Sequence, residues 1–142
     1  MAAPSVSRGF AEIVLIVRDV FASAEFYRDV IGLTAETGPT ETWAWFWVGE
    51  PGQPQRLALH KGSLLFEEHS PHPPGARWGP IHFALQVDRA NLETAAARAR
   101  ASGMPVFGPT RFDWMKATSY YCYDPDGNLL EWWSPDPGTE LG

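Results

Sequence analysis

A-E-I-V-L-I-V-R-D, from Ala11 to Asp19, and I-H-F-A-L-Q-V-D-R, from Ile81 to Arg89, are two copies of one pattern. In each, an aliphatic strand opens on a side chain able to bind a metal and leads into a short helical stretch. Glu12 in the first copy stands where His82 stands in the second. Near the C-terminus, D-P-D-G-N-L-L-E-W-W adds a turn and then a strand carrying Glu131. A duplicated module that offers Glu, His and Glu to a common centre points to a small-molecule metal site.

The rest of the chain fits around the repeat. Glu12 to Val17 reads as a buried strand, being aliphatic and β-branched. Asp19 suits a helix entry near Phe21, and A-S-A-E-F-Y-R-D-V-I continues until Gly32 stops it. Strands are expected at Thr34 to Gly38, Thr42 to Val48 and Gln55 to Lys61. In T-W-A-W-F-W-V the alternation of a strand puts Trp43, Trp45 and Trp47 on one face. In the second copy the pattern predicts a strand at Ile81 to Val87 and an Ala-rich helix at Asn91 to Ser102. A short strand starts near Val106 to Phe107, and further strands run over Thr118 to Tyr123 and Asn128 to Ser134. The expected fold is α+β, with two tandem βαβββ modules. The first covers 8–66 and the second 80–135, with a Pro/Gly-rich linker at 67–79.

Composition limits the function. A net charge of −6 with scattered Lys and Arg argues against a nucleic-acid partner. Ile13 to Val17 is too short to cross a bilayer, so no membrane role is expected. M-A-A-P-S-V-S-R-G-F lacks the apolar core of a signal peptide, and the single Cys122 fits a reducing compartment, so the expectation is cytoplasmic. Cys122 has no local base to activate it and reads as core. No P-loop, G-x-G-x-x-G after a strand or G-x-S-x-G occurs. The seven Trp suit an apolar pocket wall or an interface.

Three strings, E-I-V-L-I-V-R-D with A-E-F-Y-R-D-V-I-G-L, then H-F-A-L-Q-V-D, then Y-C-Y-D-P-D-G-N-L-L-E, resemble the vicinal-oxygen-chelate superfamily over Phe10 to Ser134. That superfamily includes glyoxalases, bleomycin-resistance proteins and extradiol dioxygenases. The resemblance implies two curved half-barrel sheets around a cavity, and a homodimer in which sites are sometimes shared. It fixes fold better than function. Its metal positions fall on Glu12, Ala58, His82 and Glu131, of which Ala58 cannot ligate. One His with two carboxylates suits Mn²⁺, Fe²⁺, Ni²⁺, Zn²⁺ or Mg²⁺. Glu12 is open to three roles: third ligand, general base or surface residue.

Around that set, His60 shares the strand face of Ala58 and reads as an acid/base or a pocket-edge residue. His69 and His72 read as solvated linker residues. Tyr121 matches a substrate-facing Tyr of fosfomycin-resistance enzymes, or is a packed core tyrosine. Ser119 and Tyr123 share its face, and Trp133 shares that of Glu131. Arg111, in the loop before that strand, is placed to hold an anionic substrate; Lys116 reads as solvated. The Trp row lines the cavity, packs on the helices or meets a second subunit. The pocket set is thus His60, Trp45, Trp47, Arg111, Ser119 and Trp133, with Glu12 and Tyr121 as catalytic candidates.

The expected function is divalent-metal enzymology of the glyoxalase/dioxygenase type on a small oxygen-chelating substrate. Lyase or isomerase chemistry is favoured, because oxygen activation usually uses two His and one carboxylate. The alternative is a metal-free, drug-sequestering protein of the bleomycin-resistance kind, which Ala58 and the Trp row favour. A thiol transferase acting on fosfomycin is weaker, since Glu12 replaces the His expected there.

Overall fold

The structure, a computed structural model, describes residues 10–53, 55–62 and 80–138. The linker expected at 67–79, with His69 and His72, lies outside these residues. The chain divides into two compact units, Met1–Pro71 and His72–Gly142. Each is a βαβββ unit with one four-stranded mixed sheet. None of the described helices is long and apolar enough to cross a membrane.

In the first unit, β1 (Glu12–Val17) is followed by α1 (Val20–Glu25), β2 (Thr34–Thr37), β3 (Trp43–Trp47) and β4 (Arg56–Lys61). The sheet order is β1-β4-β3-β2, and β1 runs parallel to β4. The Asp19 carboxylate caps α1 by accepting from the Ala22 N–H at 3.2 Å. Beyond α1 the helix winds wide as a π-helical stretch over Phe26–Ile31, and it stops at Gly32 with φ +88°. The wide turn brings Phe26, Tyr27 and Ile31 inward. The Tyr27 ring lies 6.4 Å from Phe46 of β3. Ala44 and Phe46 are therefore the helix-facing residues of β3, both buried. Strand alternation turns Trp43, Trp45 and Trp47 to the other face. The Trp row therefore does not pack on the helix of its own module.

The second unit repeats the plan with β5 (His82–Gln86), α2 (Arg89–Ala101), β6 (Phe107–Phe112), β7 (Ala117–Tyr123) and β8 (Leu129–Pro135), in sheet order β5-β8-β7-β6. Leu92, Ala96 and Ala99 form the buried stripe of α2, at helical spacing. Beneath it lie Tyr120, Cys122, Leu130 and Trp132. The Tyr120 hydroxyl donates to both oxygens of Glu93 on α2, at 2.7 and 2.9 Å, and the Arg100 guanidinium sits 5.3 Å from the Tyr120 ring. Ser119, Tyr121, Glu131 and Trp133 occupy the opposite face.

Two expectations are corrected here. β6 is a six-residue strand, not a short start at Val106 to Phe107. It lies at the sheet edge and is exposed, so it shows no hydrophobic alternation and tolerates Pro109. Arg111 belongs to this strand rather than to a loop.

The register extends the duplication to a G-P-T string that the sequence reading passed over: Gly38-Pro39-Thr40 and Gly108-Pro109-Thr110. The first follows the register shift Ala35/Thr37 in its edge strand, and the second lies within the shift Phe107/Thr110. Gly38 has φ +86°, and a Cβ there meets the Trp43 carbonyl oxygen at 2.9 Å; Gly108 has φ +118°, and a Cβ meets the Ser119 carbonyl oxygen at 2.8 Å. Backbone cannot move aside as a flexible side chain does.

Gly38→Ala and Gly108→Ala are each expected to lose about 2–4 kcal/mol in urea unfolding, the sum of left-handed strain and overlap; a loss below about 0.5 kcal/mol contradicts the close approach. Burial pushes the Cys122 thiol up to about 12 from 9.0. The thiol is expected to resist labelling in the folded protein. Between those two values the unfolded chain ionises its thiol and the folded chain does not. Stability of the wild type should therefore fall with rising pH by up to about 1.4 kcal/mol per unit more than that of Cys122→Ala. Parallel pH profiles for the two proteins contradict this.

Candidate functional site

In the second unit β5 and β8 run parallel, pairing His82 with Leu129 and Ala84 with Glu131. β7 adds Tyr121 opposite Glu131 and Ser119 opposite Trp133. Hydrogen bonding between these strands therefore sets four polar side chains on one face. Glu131 is 7% exposed, and a carboxylate so buried needs compensation. The fully buried Ser119 donates its hydroxyl to Glu131 Oε2 at 2.6 Å. His82 Nε2 stands 3.1 Å from Glu131 Oε1, with the imidazole half exposed. The Tyr121 and His82 rings are 6.3 Å apart. Burial, and then the charge of the neighbouring Glu131, raise the Tyr121 phenol above its ordinary value, so it stays protonated and acts as a donor.

The other nitrogen of His82 decides what the pair can hold. Nδ1 lies 3.2 Å from the Leu129 carbonyl oxygen, which can only accept. That bond places a proton on Nδ1, and a neutral imidazole has only one. Nε2 then points a lone pair at a carboxylate oxygen. A second proton or a cation between them resolves the repulsion. Two donors on adjacent corners of an octahedron, with bonds of about 2.1 Å, stand about 3.0 Å apart. The pair therefore fits one edge of a divalent metal's shell, and the Nδ1 bond is the orienting contact usual for a metal-binding histidine.

The first unit differs at the matching positions. Ala58, fully buried, stands where Glu131 stands, and Trp45 pairs with it as Tyr121 pairs with Glu131. Trp43 and His60 replace Ser119 and Trp133. These replacements make an aromatic stack: Trp43 lies 4.8 Å from Trp45 at 5° between planes, and 4.0 Å from the His60 ring. His60 Nδ1 contacts the Thr42 carbonyl oxygen at 3.0 Å. Trp47 is half-buried at the end of the row. Glu12 is exposed at the start of β1, in register with Arg56, and Arg56 binds Glu36. Among the described residues no group of three or more His, Cys, Asp or Glu is placed to hold a metal; the structure brings together two, His82 and Glu131.

Arg111 sits apart from that pair in its interactions. Its guanidinium binds both oxygens of Asp136 and one of Asp113, and Asp136 also binds Arg89. Asp136 is held below the usual carboxylate range, chiefly by Arg111. The cation read from sequence as an anion holder thus fastens the end of β8. Lys116 takes a left-handed turn conformation, φ +49°. What the sequence reading missed was Asp124 and Asn128, buried in the D-P-D-G-N turn. The signal was present: Asp and Asn four residues apart around a Gly are turn chemistry with side-chain bonds.

Comparison with known proteins follows the same lines. No curated protein matches the chain. Among solved structures, a lactoylglutathione lyase from Agrobacterium tumefaciens is 25% identical with a TM-score of 0.69, covering 92% of this chain and 96% of its own. A glyoxalase/bleomycin resistance protein/dioxygenase from Nocardioides is 26% identical with a TM-score of 0.67, covering 97% and 91%. A glyoxalase/dioxygenase from Nostoc punctiforme, 24% identical with a TM-score of 0.70, covers 95% and 96% and shares the fold. The family model that matches is the Glyoxalase/Bleomycin resistance protein/Dioxygenase superfamily, over residues 9–132, and the chain belongs to that superfamily.

Proposed function

We propose that the chain is a divalent-metal-dependent enzyme of the glyoxalase type, with lyase or isomerase chemistry on a small oxygen-chelating substrate. The observation that carries this is the His82–Glu131 pair: Nδ1 is committed to Leu129, and Nε2 faces Glu131 Oε1 at 3.1 Å. The similarity to a lactoylglutathione lyase supports the lyase reading, and ring-cleaving oxygenation is disfavoured because it usually uses two His and one carboxylate. Iron-loaded protein is accordingly expected to leave catechols unchanged in air.

His82 and Glu131 would hold the ion, and Glu12 is the remaining protein donor or the base. Bound there, the metal supplies Lewis-acid polarisation of a substrate oxygen. Ser119 occupies Glu131 Oε2, so Glu131 presents Oε1 alone. Tyr121, kept protonated, donates a hydrogen bond to a developing oxyanion. Glu12 accepts a proton if it is not a ligand.

A second reading rests on the Trp43–Trp45–His60 stack: a metal-free protein that binds a flat aromatic drug. Half-buried rings and Ala58 favour it.

Protein purified without chelator is expected to carry about one metal per chain, and His82→Ala and Glu131→Gln to keep less than about one-tenth of it. Glu12→Gln separates its roles: lost metal marks a ligand, retained metal with lost turnover marks the base. Absence of metal in wild type that cannot be loaded, with Trp fluorescence quenched by a flat drug, selects the second reading.

A further inference from the structure

We infer that Asp124 and Asn128 are positioning residues that hold His82 in its working tautomer and place; the inference rests on the metal reading of the His82–Glu131 pair. The two side chains form a buried relay. Asp124 Oδ1 accepts from the backbone N–H groups of Asp126, at 3.0 Å, and of Asn128, at 2.8 Å. Asp124 Oδ2 accepts from Asn128 Nδ2 at 2.8 Å. This fixes which way the Asn128 amide faces, so its Oδ1 accepts from the Ile81 N–H at 2.9 Å.

The relay ends on both supports of the imidazole. Ile81 precedes His82, and the Ile81 carbonyl accepts from the Leu129 N–H at 2.9 Å. Leu129 follows Asn128, and its carbonyl accepts from His82 Nδ1. Asn128 therefore pins the strand start that carries the ring and adjoins the carbonyl that orients it. β5 and β8 are far apart in sequence, and β5 is an edge strand whose open face is exposed. Without Asn128 the strand start has one fewer anchor, and local fraying costs little. Asp124 and Asn128 are each 5% exposed. Their bonds lead to the site through Ile81 and Leu129, the two supports of His82. A residue placed only to close the turn would bond within the turn; Asn128 reaches across to Ile81.

Asn128→Ala in the full chain tests this with two readouts. Nitrogen-15 NMR of the histidine rings in metal-free protein at alkaline pH reports which nitrogen of His82 carries the proton. Wild type is expected to show Nδ1–H. The variant is expected to show mixed tautomers and an Ile81 amide exchanging at least about tenfold faster. Titration with Mn²⁺ is expected to give affinity weakened about 10–100-fold, the usual effect of losing an orienting partner, with Cys122 still protected from labelling. A variant that keeps the wild-type tautomer and Mn²⁺ affinity overturns the inference. If wild type itself binds no Mn²⁺, the metal reading fails, and the tautomer comparison still decides the relay. Should Asn128→Ala not fold, Asn128→Ser leaves a hydroxyl for Asp124 that falls short of Ile81, and it carries the same comparison.

Discussion

Glu131 sets the problem that the second module solves. A carboxylate at 7% exposure is costly unless its oxygens are satisfied. Ser119 takes one oxygen. The other faces an imidazole nitrogen whose ring partner is already bonded to a carbonyl. With a neutral imidazole this contact lies between two acceptors. A group with positive charge completes it, whether a proton or a metal ion. Strand pairing alone brings these atoms together, since His82, Glu131 and Ser119 sit on β5, β8 and β7 in adjacent order.

The two modules show what happens when a duplicated scaffold diverges at matching registers. Both keep the parallel first-to-last strand pairing, and both keep the G-P-T string with a glycine pressed against a neighbouring carbonyl. They part on the face away from the helix. One module carries Glu131, Tyr121 and Ser119; the other carries Ala58, Trp45 and Trp43 in their places. Buried polar side chains and aromatic stacking are thus divided between two copies of one architecture. The division explains why both an enzyme and a drug binder are coherent readings of this chain.

Much of this was legible in the sequence. The aliphatic strands β1 and β5, the Gly32 stop and the face shared by the tryptophans followed from periodicity and local chemistry. β6 escaped because an exposed edge strand with Gly108 and Pro109 has neither alternation nor strand formers. The π-helical stretch escaped because no local propensity marks its wider winding, while the burial of Phe26, Tyr27 and Ile31 is set by tertiary packing. The pairing of Arg111 with Asp136 was not legible because the two lie 25 positions apart. Of the candidate site, His82 and Glu131 came from the repeat. Their mutual distance, the role of Ser119 and the reach of Asn128 to Ile81 depend on inter-strand register, which a single sequence does not display.

The central claim is that His82 Nε2 belongs to a metal's coordination shell. Pulsed electron paramagnetic resonance of the Mn²⁺-loaded protein measures this directly, through the coupling of the metal to nitrogen. One imidazole nitrogen should be coupled in wild type, and the coupling should vanish in His82→Ala. Manganese bound without any nitrogen coupling, or a coupling that survives the substitution, would contradict the account.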